Sequence, residues 1–234
     1  MTAFFNDLAM HFKSDFITDD RWLWLVRGLG STLEITLFAT LLGLVLGLGL
    51  ALVKVTQYNG GKVGPLGFLA DLYLTVIRGT PSVVQLLIIY FVVFASVDVP
   101  KILVAVIAFG INSGAYMAEI IRGGILGVDR GQMEAGRSLG LGYGLTMRTI
   151  VIPQATKNIL PAMGNEFITL LKETAIAGYI AVQDLTKAGD MIRSRTYDAF
   201  LPLIVVAAIY LVIVMFLTSL LKRVETRLRR SDHR

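Results

Sequence analysis

Three polar side chains stand out because each falls inside a long apolar run, where an ionisable or amide group is costly to bury and must face a partner or a wet cavity. They are Arg78, Asn112 and Glu166. Counted at about 1.5 Å per residue from the start of its run, Arg78 lies roughly 18 Å in, Glu166 roughly 17 Å and Asn112 about 15 Å, which predicts one shared level. Helical phase extends each into a polar stripe: Asp71, Thr75, Arg78, Ser82 and Gln85 on one helix, Asn112, Tyr116 and Glu119 on the next, Glu166, Thr169 and Glu173 on a third. Glu119 comes out near one end of its run and Gln85 near an end of its own, so both are weaker candidates. A fixed guanidinium and a fixed carboxylate at one depth suit a ligand carrying both charges. They equally suit each other, as an ion pair locking two helices. Pro81 after Gly79 predicts a bend or break that frees backbone carbonyls.

Catalysis has little to stand on. Cysteine is absent and the two histidines, His11 and His233, lie near the termini. That leaves no thiol nucleophile, no paired-histidine metal site and no serine–histidine arrangement.

The elements that hold these residues are read from composition. A mean hydropathy of +0.68 with 55% apolar residues marks an all-α integral membrane protein. Its 234 residues hold about five spans and no separate soluble domain. The expected spans are Leu25 to Val53, Leu66 to Val97, Ile102 to Leu126, Ile150 to Val182 and Leu201 to Leu221. Asp7, Asp15, Asp19 and Asp20 precede the first run and argue against a cleavable signal. Residues 1–24, with Phe4, Phe5, Phe12, Phe16, Trp22 and Trp24, read as an external interfacial segment. Thirteen lysines and arginines fall on one side of this layout and seven on the other, with Arg78 and Lys172 inside spans. The amino terminus is therefore expected outside and the carboxyl terminus in the cytoplasm, with residues 25–222 as the membrane domain and 223–234 as a basic tail touching anionic lipid. A net charge of +5 is explained by orientation and calls for no nucleic acid.

The longest connection, residues 127–149, joins the third and fourth spans on the cytoplasmic side. A short surface helix is expected from about Gln132 to Leu139, with Glu134 and Arg137 as a charge pair and Gly140 and Gly142 as its stop. It reads either as a docking knob or as an amphipathic helix resting on the bilayer.

Here the residues carry a resemblance. Glu134-Ala135-Gly136, then Gly140, then Ile150, then Ile152-Pro153 resembles the EAA motif of ATP-binding-cassette importer permeases, with Gly136 where a second alanine is usual and Ile152 where leucine is common. Gly30-Ser31-Thr32, Arg78-Gly79-Thr80-Pro81 with Gln85, Asn112 to Arg122, and Gly164-Asn165-Glu166-Phe167 before Lys172-Glu173-Thr174 are similar to the polar amino acid uptake permeases of that class. The resemblance implies the type I importer permease fold in a bacterial cytoplasmic (inner) membrane. It makes the short helix a coupling helix, with Gln132, Glu134, Ala135, Gly136, Arg137, Leu139 and Gly140 meeting an ATPase subunit. It implies as partners an ATPase dimer, a second permease chain, identical or homologous, and an external binding protein that delivers an amino acid. No G-x-x-x-x-G-K-[ST] loop occurs here, so ATP and magnesium are expected on the ATPase and no cofactor in this chain. Arg78 would then hold a substrate carboxylate and Glu166 an ammonium or cationic side chain, with Asn112, Asn165 and Thr169 beside them.

Other features read more plainly. Gly43 and Gly47 have the spacing of close helix packing, within the chain or across a dimer. An ion-coupled transporter would leave the Glu134 to Pro153 segment unexplained and should show internal repeats, and a membrane enzyme would need a nucleophile or metal set.

Overall fold

The computed structural model describes residues 9–230, and side chains as far as residue 228. Phe4, Phe5, Asp7 and His233, named above, lie outside the described residues. Those described contain no strand and fold as helices joined by turns and short connections.

Helix α1, Trp22–Tyr58, has 37 residues and spans about 55 Å. It is apolar on all sides, so its packing face is set by side-chain size. Thr32, Thr36, Ala39, Gly43, Gly47 and Ala51 recur every three or four positions and are buried. This stripe lies against α4, Lys101–Leu126. At Gly47 an added Cβ would stand 2.5 Å from Met117 Cβ and 2.9 Å from the Ala118 nitrogen. The Gly43/Gly47 spacing therefore serves a contact within the chain.

The second expected span is broken. Helix α2, Pro65–Gly79, stops at Thr80, and α3, Ser82–Ile88, starts after Pro81 and continues through a wide turn to Val93. The two halves meet at 109°. After α4 come the short helix α5, Arg130–Ser138, and α6, Ile152–Glu173, which tightens into a 3-10 turn over Thr174–Ile180. Helix α7, Leu185–Thr196, follows, then α8, Phe200–Arg230.

Length and composition let α1, α4 and α8 cross a membrane, and the bent α2–α3 pair makes a fourth candidate. Helix α6 is not among them, because Lys157, Glu166, Lys172 and Glu173 punctuate it. Its exposed positions include the polar Asn158, Asn165, Thr169 and Lys172. Helix α8 runs straight through the expected basic tail to Arg230, since Leu221 to Leu228 contains no glycine or proline to stop it.

The core forms where α1, α3, α4 and α6 converge, around Ile35, Leu86, Phe109, Leu170 and Ile180. A second cluster, Phe16, Leu25, Leu185, Ala188, Ile192 and Val206, joins the first residues to α7 and α8. The segment before α1 is thus packed on protein through Phe16. Helix α7 was missed from the sequence. Asp184 is its N-cap, accepting from the Lys187 backbone N–H at 2.6 Å and from Gly178 N–H at 3.1 Å, a local pattern that satisfies otherwise orphaned donors. Its buried face, Leu185, Ala188, Gly189 and Ile192, was legible as helical spacing but masked by the surrounding charges.

Asp15 in the packed first segment is 1% exposed, and its Oδ2 has no hydrogen-bond partner. Burial first, and then the charge of Asp198, push its carboxyl above the ordinary carboxylate range. A raised value means that the fold favours the neutral form, so Asp15 supports folding at low pH and opposes it as pH climbs through the raised value. Asp15→Asn is expected to raise the melting temperature of the purified protein at pH 7.5. The gain should shrink as pH falls into the carboxylate range, which a melting series across pH checks.

Candidate functional site

The break between α2 and α3 organises the polar interior. Pro81 has no N–H, so the Ile77 carbonyl loses its helical donor. Gln85, one turn beyond the break, replaces it: Nε2 lies 2.7 Å from Ile77 O and 3.0 Å from Thr80 O. Its Oε1 accepts from Asn112 Nδ2 on α4 at 2.9 Å. Gln85 and Asn112 are both buried. Gln85, ranked low from its expected depth, is therefore central, and Asn112 has its amide committed to holding the broken helix. A proline followed four residues later by glutamine was the signal available in the sequence.

The next residue of α4 meets α6. Ser113 Oγ donates to Glu166 Oε1 at 3.1 Å. Among the described residues Glu166 forms no ion pair. Its neighbours Asn165 and Thr169 are exposed, and Asn165 Nδ2 donates back to the Pro161 carbonyl at 3.1 Å. Asn158, Asn165, Thr169 and Lys172 are all exposed on α6 at helical spacing. In a helix surrounded by apolar elements, such a stripe faces water or a partner.

Arg78 stands apart from this group. Its Nη1 lies 3.7 Å from Glu119 Oε2, and its guanidinium sits 5.9 Å from the Tyr116 ring centroid. Glu119 is held more closely by Arg122, at 2.8 Å. Glu119 is seven residues from Asn112, about 10 Å along α4. The expected shared level thus holds for Asn112 and Glu166 and fails for Arg78. Counting along the chain assumed an upright helix, whereas α2 ends early at the break and an arginine side chain points back toward its helix start. Arg78 belongs instead to a charged cavity of about 510 Å³ lined by Lys54, Asp71, Thr75, Arg78, Glu119 and Arg122. Lys54 and Asp71 pair there at 2.5 Å. The alternative of an Arg78–Glu166 pair is not formed.

At the α5 end of the bundle the loop 127–149 is an ordered surface element. Asp129 caps α5 by accepting from Gly131 N–H at 2.6 Å. The helix stops in a left-handed turn at Gly140, φ 83°, where Gly140 N–H reaches Arg137 O at 3.0 Å and Leu141 N–H reaches Gly136 O at 3.1 Å. This double closure satisfies the last carbonyls, and only glycine takes the turn without strain. The helix begins and ends slightly earlier than expected. Gln132, Glu134, Ala135, Arg137 and Leu139 are exposed and Gly136 is buried. Leu139, 81% exposed, gives the knob an uncovered apolar tip. Gly136 is buried because the chain folds back over it: an added Cβ would stand 2.5 Å from Thr146 Cγ2. That approach accounts for glycine where alanine is usual.

With this geometry in view, the comparisons agree. Residues 43–230 match the family model of the binding-protein-dependent transport system inner membrane component. The chain belongs to that family, an inner membrane permease of the importer class. It is 40% identical to the arginine transport system permease protein ArtQ of Bacillus subtilis, over 89% of this chain and 94% of that one. It is 39% identical to a putative glutamine transport system permease protein GlnP of Rickettsia bellii, over 88% and 93%. Among solved structures, an amino acid ABC transporter with histidines superposes with a TM-score of 0.82 at 45% identity, covering 91% of this chain and 98% of the other.

Two outcomes follow from this geometry. Asn112→Ala strands the Gln85 carbonyl oxygen in the core and should cost roughly 1–3 kcal/mol, read as a lowered melting temperature of the purified protein. Gly136→Ala should destabilise the loop by collision with Thr146, despite alanine's better helix propensity. Thr146→Ser in the same chain removes the colliding methyl and should recover most of the loss.

Proposed function

We propose that this chain is the permease subunit of an ATP-driven importer and forms the path for a polar or cationic amino acid, with Glu166 receiving the substrate's positive charge. The observation that carries the site is the Glu166 carboxylate itself. It is partly buried, steadied by one hydroxyl at 3.1 Å and not neutralised by a cation, beside the exposed Asn165 and Thr169. A carboxylate in that state is poised for an ammonium or guanidinium. Relatives that transport arginine and glutamine, and the solved transporter described with histidines, support an amino acid as substrate.

Arg78 meets the substrate carboxylate at a different stage. It lies about two turns closer to the α5 end, where Glu119 holds it loosely at 3.7 Å, so a carboxylate moving along the path can displace that contact. The chain has no nucleotide site of its own. ATP and magnesium sit on a separate ATPase dimer, which α5 engages through Gln132, Glu134, Ala135, Gly136, Arg137, Leu139 and Gly140. A second permease chain, identical or homologous, completes the path. An external binding protein delivers the amino acid at the opposite face, where α7 lies.

Glu166→Gln keeps the Ser113 contact and removes the charge. In proteoliposomes containing the whole complex, it should lower ATP-dependent uptake of a cationic amino acid roughly tenfold or more, while ATP hydrolysis without substrate persists. Unchanged uptake in a folded Glu166→Gln complex would sink the site assignment.

A further inference from the structure

The last residue of α1, Tyr58, and the residue after it, Asn59, take hold of the loop that carries α5, one at each end of that helix. The Arg130 guanidinium, at the start of α5, lies over the Tyr58 ring, 5.7 Å from its centroid, and donates to the Tyr58 hydroxyl. Beyond the end of α5, the Tyr143 hydroxyl accepts from Asn59 Nδ2 at 3.0 Å. Between the two links lies a groove of about 390 Å³, floored by Ile125, Met133, Met147 and Val151. On the opposite side α5 touches α6 through a Gln154 Nε2 to Gln132 Oε1 hydrogen bond at 3.2 Å.

The sequence layout predicts one mechanical route from α5 into the bundle, along the chain into α6. The links give a second route. Helix α1 is a single unbroken rod, and it is fitted to α4 so closely that no Cβ fits at Gly47. A pull on Tyr58 and Asn59 therefore reaches the far end of α1 and carries α4 with it, along with Asn112, Ser113 and Glu119. Both links are exposed, so neither is needed to bury core. A hydrogen bond on one side and a ring contact on the other resist both sliding and lifting of α5 relative to α1.

We propose that Tyr58 and Asn59 are positioning residues that make α1 follow α5, so that ATPase closure moves the α1–α4 pair together with α6. This rests on α5 being the ATPase-docking helix. The whole complex in proteoliposomes tests it, with uptake and ATP hydrolysis measured on the same vesicles. Tyr58→Leu with Asn59→Ala should lower the amino acid transported per ATP hydrolysed roughly threefold or more. Tyr58→Phe, which keeps the ring, should recover part of that loss. Because the natural chain has no cysteine, spin labels placed by Gln57→Cys and Ser138→Cys report the α1–α5 distance. That distance should stay fixed between nucleotide-free and ATP-trapped states in the parent and change in the double variant. An unaltered transport ratio together with a fixed distance in Tyr58→Leu/Asn59→Ala overturns the latch. A parent complex whose uptake ignores ATP overturns the docking reading beneath it, and the two failures are told apart by the parent alone.

Discussion

A helix broken inside apolar surroundings must find donors for the carbonyls it frees, and side chains supply them here: the Thr80 hydroxyl for Val76 and one amide for the next two. Gln85 reaches back across Pro81 to Ile77 and Thr80 and is gripped in turn by Asn112. Without that bridge the Ile77 and Thr80 carbonyls at the 109° bend would lose this donor, a loss that apolar surroundings penalise. With it, α3 turns inward and buries Leu86 in the central cluster. The short α2 then ends where Arg78 can reach Glu119.

Helix α4 is consequently the rack on which the polar interior hangs. Asn112 holds the break, Ser113 holds Glu166 and Glu119 collects Arg78 and Arg122. Small residues on α1 allow this rack to be packed tightly from behind, which leaves its other faces for polar contacts. Along α4 the charged groups thereby sort into two zones: a carboxylate without a cation beside Ser113, and a mixed charged cavity nearer α5. In the function proposed above, the first zone would receive the substrate's positive charge and the second its carboxylate on the way toward α5.

Much of this was legible from residue order. Hydropathy marked α1, α4 and α8, Gly79 and Pro81 marked the break, and Gly140 marked the end of α5. What escaped was what a one-dimensional count cannot hold. Depth along a helix says nothing of tilt, so Arg78 was placed beside Glu166 when it stands with Glu119. Depth alone also made Asn112 a ligand and Gln85 a peripheral residue, although a proline break demands a donor such as Gln85 one turn later. Helix α7 was hidden because its apolar spacing is interleaved with Lys187, Asp190, Arg193 and Arg195. The Tyr58 and Asn59 contacts join residues far apart in sequence, which no local pattern reveals.

The central claim is that Glu166 waits without a cation until the substrate brings one. A structure of the whole complex with its transported amino acid bound measures this directly. The account predicts a substrate nitrogen within ion-pair distance, about 4 Å or less, of the Glu166 carboxylate, with Ser113 still donating to the same group. A bound amino acid placed away from Glu166, or a guanidinium of the second permease chain already paired with that carboxylate, would contradict it.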